Sequence, residues 1–373
     1  MSQALTEIAK TLAESSKKVQ LIYAFNNAGK TLLCQEFRRL IESAPASRGQ
    51  PRLGEVTGAR RRRILYYSSF TEDLFYWDSA DPDAPSPKLK IRPNAFIPWL
   101  LGNLKQDQSI VENFRGHTGG KITPHFSKDY SDVAFSFEGA ANPRTDSLKI
   151  SKSEESGFIW NVFSALLKLA VSTRNDGAAD DLHARELDEL EYVFVDDPVS
   201  SLDENNLIEL AVDLAAEIRS SVGLKFVVTT HSPLFYNVLS NELGKASRYR
   251  LSKAGDDGHR LEIQGDDSPF SYHLFLLAEL KQACDSGRLH KYHFTLLRNV
   301  LEKTSNFLGY RNWTDLLTAD SRRQPSAFEN RLINVSSHSK FSGEETIHLS
   351  DEDEATLRDL VGRLIETFHF NVK

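Results

Sequence analysis

Three stretches hold residues whose types and spacing could do chemistry on phosphates. The first is AFNNAGKT, residues 24–31, close to the pattern G-x-x-x-x-G-K-[ST]. In such a loop the backbone N–H groups around Asn26, Asn27, Ala28 and Gly29 wrap phosphates. Lys30 neutralises them and the Thr31 hydroxyl ligates Mg²⁺. Ala24 stands where the pattern has its first glycine, and alanine fits there only if the position needs no positive φ. The second stretch is YVFVDD, an apolar run ending in Asp196 and Asp197. At the carboxyl end of a strand, Asp196 is placed to hold Mg²⁺ through water and Asp197 to orient an attacking water. Alone, two such acids read as a helix cap or a turn. The third is TTHSP, where His231 ends another apolar run and is placed to contact a terminal phosphate. Alone, that histidine reads as a core or surface residue.

Two further groups accompany them. SLDENN, with Asp203, follows the paired acids after a short turn. Upstream, Ile150-Ser151-Lys152-Ser153-Glu154 precedes a helical pattern, so Ser151, Ser153 and Glu154 could cap a phosphate there. Ser151 with Glu154 three residues on also reads as an N-capping box, and both readings can hold. In the C-terminal third, Arg298 and Glu302 are four apart and project from one helix face, beside an apolar stripe of Phe294, Leu297 and Leu301. As a plain ion pair they are worth a few tenths of a kcal/mol, and arginine before glutamate is the less favourable order. His338 sits in a Ser/Gly-rich stretch. His290 and His293, in HKYH, read as surface or helix-end residues.

These residues need elements to hold them. QLIYAF before the first loop, LEYVFVDD and LKFVVTTH read as buried strands, with RRRILYYSSF as another. TLLCQEFRRLIES, GFIWNVFSALLKLAVST and NNLIELAVDLAAEIRSS have helical periodicity. Strands alternating with helices predict a parallel α/β sheet. After about residue 265 the patterns SYHLFLLAELKQACDSG, YHFTLLRNVLEKTSNFLG and EATLRDLVGRLIETFHF are all helical. The expected division is therefore an α/β region over 1–264 and a mainly α-helical domain over 265–373. A length of 373 residues suits two domains at about 150 residues each.

Composition narrows the classes. Hydrophobic residues make up 40% and charged residues 26%, an ordinary globular balance. The formal charge of -7, from 45 basic and 52 acidic residues, excludes a wholly basic nucleic-acid-coating surface. The run Arg60–Arg63 is a candidate phosphate contact or a solvated loop. Two distant cysteines, Cys34 and Cys284, exclude a disulfide framework and a Cys-rich zinc site. They suit a reducing cytoplasm. No apolar run near the ~20 residues of a membrane helix is found, and the N-terminus lacks a secretory h-region. The expected location is cytoplasmic, with no membrane partner.

Taken in order, the loop, the signature-like ISKSE, the DD pair with SLD, and TTHSP resemble the ABC-type ATPase head over roughly residues 18–260. The resemblance implies a homodimer in which two heads sandwich nucleotide, each site pairing one chain's phosphate loop with the other's signature. Nothing near RRRILYYSSFTED marks a Q-loop glutamine. Asp197 stands where such heads usually have glutamate. Its shorter reach predicts slow hydrolysis, suited to a switch or timer. SMC- and RecF-type heads share these motifs, but no long coiled coil is present here. A RecF-like or overcoming-lysogenisation ATPase whose tail binds DNA or a partner effector is the second reading. A structural NTPase scaffold is the third.

YHFTLLRNVLEKTSNFLGY, FSYHLFL, YYSSFTEDLFYWD and YVFVDDPVSSLDENNLIELAV with TTHSPLFYNVL resemble the PrrC family of bacterial anticodon nucleases, nearly end to end. That resemblance implies cleavage of tRNA-Lys 5′ of the wobble base by a triad matching Arg298, Glu302 and His338. It ties anticodon recognition to Asp266, with Asp267 beside it as the alternative. It implies a response to ATP, GTP and dTTP with Mg²⁺ at the nucleotide site. It also implies silencing by a type I restriction-modification complex, release by a phage-encoded restriction inhibitor, and dimers that can pair into tetramers. The chemistry suits these residue types without metal. A 2′-OH attacking its own phosphate needs a base, an acid for the leaving oxygen, and a cation for the phosphorane. Histidine, glutamate and a bidentate arginine can fill those roles. Tyr272 or Phe294 could stack on anticodon bases or pack in the core.

Overall fold

The computed structural model describes residues 3–43, 63–68, 73–77, 86–94, 96–140, 147–176, 187, 189–198, 202–254, 258–265, 272–318 and 349–372. They fall into two compact units, within residues 1–269 and 270–373.

The first unit begins with α1 (Leu5–Glu14), β1 (Val19–Ala24), α2 (Lys30–Ser43) and β2 (Ile64–Tyr67). Short strands β3 (Phe75–Trp77) and β4 (Leu89–Ile91) follow, then α3 (Asp107–His117), β5 (Ile122–Phe126) and β6 (Asp132–Phe137). The long α4 (Lys152–Asp176) leads to β7 (Tyr192–Asp196), α5 (Glu204–Ser220), β8 (Lys225–Thr230) and α6 (Pro233–Glu242). The hairpin β9 (Ser247–Lys253) and β10 (His259–Ile263) completes the unit. Six strands form one sheet in the order β10-β9-β1-β8-β7-β2. All its pairings are parallel except β10 on β9. The expected parallel α/β sheet is therefore present. Its central strands β1 and β7 are buried along their whole length, as a sheet covered on both faces requires.

On one face, α1 and α2 pack Ile8, Leu12, Leu33 and Phe37 against Ile22, Phe194 and Val227. A second, antiparallel sheet, β3-β4-β6-β5, was not legible from the sequence pattern. α4 is packed from two directions. Phe158 meets Phe75, Phe114, Phe126 and Phe135 of the small sheet and α3, while Trp160 and Phe163 meet Tyr67 of the large one. This explains its apolar character on all sides. The stretch Lys152–Asn175 is long and apolar enough, at mean hydropathy 1.2, to cross a membrane by length and composition. That corrects the expectation of no such run. Because 78% of its most apolar window is buried in the fold, it is a core helix.

α3 and α5 are linked by an ion pair. His117 Nε2 lies 3.4 Å from Asp213 Oδ2, and its other ring nitrogen donates to the Asn113 carbonyl at 2.8 Å. The bond to Asp213 holds the imidazole above its ordinary pKa, and the same bond holds the carboxyl below its own. The sign follows. A raised histidine pKa gives stability that is complete below the unfolded value of about 6.5 and is lost as pH rises through the folded value. The pair is partly exposed, so at most about 1 kcal/mol is at stake. Melting scans should show a loss of Tm as pH rises past about 6.5 that His117→Gln flattens. An unchanged slope in the variant contradicts this assignment.

The second unit is helical among its described residues: α7 (Tyr272–Ser286), α8 (Tyr292–Leu308), α9 (Trp313–Thr318) and α10 (Asp351–Phe368). Leu277, Leu280, Phe294, Leu297, Leu301, Leu357 and Leu360 are fully buried and form its interior. Phe294 is thus a core residue and not a stacking platform. α8 stops at Gly309, whose φ of 80° is the left-handed conformation glycine takes without strain. α10 starts at Ser350, whose hydroxyl accepts from the Asp353 N–H at 3.2 Å. Asp351, Glu352, Asp353 and Glu354 follow in its first turn, where the helix dipole favours acids.

Candidate functional site

The parallel strands bring the phosphate-directed residues to one edge of the sheet. β1 runs into the loop 25–29, and α2 starts at Lys30. The positive φ values fall on Asn27, at 63°, and Gly29, at 96°. Ala24 is a buried strand residue outside that set, which is why alanine serves at the first position of the motif. Ala28 packs its side chain into the core below α2, so only its backbone can face a ligand. A cleft of about 570 Å³ is lined by Asn26, Asn27, Gly29, Lys30, Thr31 and Asp197, among others.

Asp196 and Asp197 occupy different environments. Asp196 is 1% exposed, and its two oxygens accept from the Thr31 hydroxyl at 2.8 Å and the Thr229 hydroxyl at 2.6 Å. Burial nonetheless holds its carboxyl above the ordinary range. Thr229 was not singled out in the sequence. Its signal was the strand register, which sets it opposite Asp196 across β7 and β8. Asp197 leaves the strand at φ 54°, a left-handed conformation that aspartate tolerates better than most residues. Its carboxylate lies 3.3 Å from Lys30 Nζ and 2.7 Å from His231 Nδ1, and it accepts from the His231 backbone N–H at 3.1 Å. Burial alone would raise its pKa, but the His231 hydrogen bonds and the Lys30 ammonium outweigh that and hold it below the ordinary range. Lys30 also donates to the carbonyls of Ala24 and Phe25, at 3.2 and 3.1 Å.

The signature-like stretch and Asp203 form a second cluster. Ser151 and Glu154 make the capping box: the Glu154 N–H donates to Ser151 Oγ at 3.2 Å and the Ser151 N–H to Glu154 Oε2 at 2.7 Å. Ser153 Oγ donates to Asp203 Oδ2 at 3.3 Å, and the Asn206 amide reaches both. Asp203 caps α5 by accepting from the Asn206 N–H at 2.9 Å. The start of α4 and the start of α5 are thereby tied together.

Among the arginine run, Arg63 is held by Glu191 at 2.9 Å and by the Ile41 carbonyl at 2.8 Å. It is a structural link rather than a free phosphate contact. Arg60, Arg61 and Arg62 lie outside the described residues.

On α8, Arg298 Nε donates to Glu302 Oε1 at 2.7 Å. The side chains are 20% and 43% exposed, above a floor of buried Leu297, Val300 and Leu301. The helix therefore presents an arginine and a carboxylate together, both reachable from solvent. His338 and Asp266 lie outside the described residues. His293 is not a surface residue: it is 1% exposed, and Nδ1 accepts from the His290 N–H at 2.9 Å where α8 begins.

The fold and the loop together define an ABC-type ATPase head followed by a mainly α-helical region. No family model matches the chain. An anticodon nuclease of Escherichia coli is 44% identical over 386 residues, covering 98% of this chain and 96% of that protein. The chain belongs to the PrrC anticodon nuclease family.

Proposed function

We propose that the chain is a nucleotide-regulated endoribonuclease of the tRNA anticodon loop. On this reading residues 1–264 regulate and residues 265–373 cut. Two findings support it: the near full-length likeness to an anticodon nuclease, and the Arg298–Glu302 pair presented at 2.7 Å on α8. The substrate is tRNA-Lys, cut 5′ of the wobble base. A base, Glu302 or His338, takes the proton of the 2′-OH on the preceding nucleotide. The 2′-oxygen bonds to phosphorus, and the bond to the 5′-oxygen breaks as that oxygen receives a proton from the other partner. Arg298 offsets charge on the phosphorane. Products carry a 2′,3′-cyclic phosphate and a 5′-OH. Asp266 contributes to recognition of the anticodon.

The head fits ATP or GTP with Mg²⁺, and dTTP as a further ligand of the same type. Thr31 and Asp196 already face each other at 2.8 Å, and with Thr229 they form a hydroxyl–carboxylate set suited to a hard cation. Bound there, Mg²⁺ supplies charge neutralisation of the phosphates. Thr31 and Asp196 are the residues that would hold it. Among the described residues no group of three or more His, Cys, Asp or Glu forms another metal site. His231 and Asp197 serve the terminal phosphate and its attacking water. Ser151, Ser153, Glu154 and Asp203 face the nucleotide of a second chain in a homodimer. A type I restriction-modification complex silences the nuclease and a phage-encoded restriction inhibitor releases it, in the cytoplasm.

Asp197→Asn should keep nucleotide affinity within a few-fold and lower hydrolysis by about 100-fold. Steady-state phosphate release measures it, and wild-type turnover as fast as a transport ATPase would contradict the switch role. The cutting chemistry is tested with an anticodon stem-loop bearing 2′-deoxyribose at the nucleotide preceding the wobble base. It should resist cleavage entirely. Cleavage of that substrate would rule out attack by the 2′-OH.

A further inference from the structure

The cleft beside the phosphate loop has a second wall that no motif marks. β9 runs parallel to β1 with Leu251 opposite Ala24, so β9 continues past the point where β1 turns into the loop. Its last residue, Lys253, is exposed and lines the cleft with Asn27, Gly29 and Lys30. β10 returns antiparallel and sets His259 opposite Lys253.

The hairpin is seated against the loop itself. A methyl group at Gly29 would stand 2.7 Å from His259 Nε2, so the ring occupies the space that only glycine leaves open. Both ring nitrogens are buried and have no hydrogen-bond partner among the described residues. Burial, and then the Lys253 ammonium, hold the imidazole below its ordinary pKa, so Lys253 and Lys30 carry the positive charge of the cleft. From the far side Gln3 pins the hairpin, donating to the His259 carbonyl at 2.8 Å and accepting from its N–H at 2.9 Å.

The sheet order gives this wall its direction. Asp196, Asp197 and His231 lie on or just after β7 and β8, to one side of β1, and Lys253 lies to the other. The acid side serves the terminal phosphate, so the opposite end of a ligand held by the loop extends toward β9. We propose that Lys253 is a further nucleotide-binding residue, taking the α-phosphate and ribose end of a nucleoside di- or triphosphate. This rests on the reading of the cleft as a nucleotide site.

Isothermal titration of the full chain with ATPγS and with ADP, each with Mg²⁺, tests it. Loss of one charged contact is worth about tenfold in affinity. Lys253→Gln should weaken both ligands by about that factor and equally, whereas His231→Ala should weaken ATPγS alone. Wild-type affinity of Lys253→Gln for both ligands overturns the assignment. So does a loss confined to ATPγS, which would place Lys253 at the terminal phosphate. If the wild-type chain binds neither ligand, the nucleotide reading of the cleft itself falls with it.

Discussion

Arg298→Ala and Glu302→Gln are each expected to lower cleavage of the anticodon loop by about 100- to 1,000-fold. That is the range seen when a transition-state charge donor or a positioned base is removed. The same substitutions should leave Tm nearly unchanged. The two residues form an i,i+4 pair with Arg298 N-terminal to Glu302, the less favourable order, worth a few tenths of a kcal/mol. The ion pair between them therefore contributes little to folding. Glu302→Gln keeps the shape and a hydrogen-bonding oxygen for Arg298 while losing the base. If both variants cut as wild type does, the pair is only an ion pair on a helix and the catalytic assignment is wrong. A parallel drop in Tm and activity would point the same way.

Lys30→Ala is expected to weaken ATP·Mg²⁺ binding by about 100-fold, from the loss of about 3 kcal/mol when a buried charged partner is truncated. Lys30 is 7% exposed and is held by Asp197 and two loop carbonyls. Its ammonium is thus already directed into the cleft that Asn27, Gly29 and Thr31 line. Its removal leaves Asp197 paired with His231, so a modest loss of stability accompanies the loss of affinity. Equilibrium dialysis with labelled ATP measures the first effect and a melting scan the second. Nuclease activation by nucleotide should disappear with binding. Unchanged affinity in Lys30→Ala would mean that residues 24–31 are a turn and not a phosphate loop.

Much of the head was legible because its signals are local. An apolar run, a glycine turn and a helical stripe mark β1, the loop and α2 in consecutive residues. The paired acids mark the end of β7 in the same way. Ala24 was the ambiguous position, and the backbone resolves it by placing positive φ at Asn27 and Gly29 instead. Two strands of the small antiparallel sheet escaped because Phe75–Trp77 and Leu89–Ile91 are each three residues long, too short for an alternation to show. The β9–β10 hairpin escaped because SRYRLSK is largely half-buried, without a clean apolar face. The contacts that distinguish Asp196 from Asp197 are not local. The Thr31–Asp196 bond joins residues 165 apart, and only the sheet order brings them together. The helical region was legible as helices, while the role of Arg298 and Glu302 was carried by likeness to a family and not by periodicity.

The most direct test of the whole account is end mapping of bulk tRNA incubated with the full chain, with and without ATP, GTP and Mg²⁺. One dominant nucleotide-dependent cut is expected, in tRNA-Lys, 5′ of the wobble base. The new ends should be a 2′,3′-cyclic phosphate and a 5′-OH, and the cut should be absent in Arg298→Ala, Glu302→Gln and His338→Ala. Intact tRNA under all conditions, or nicks that persist in those variants, would contradict it.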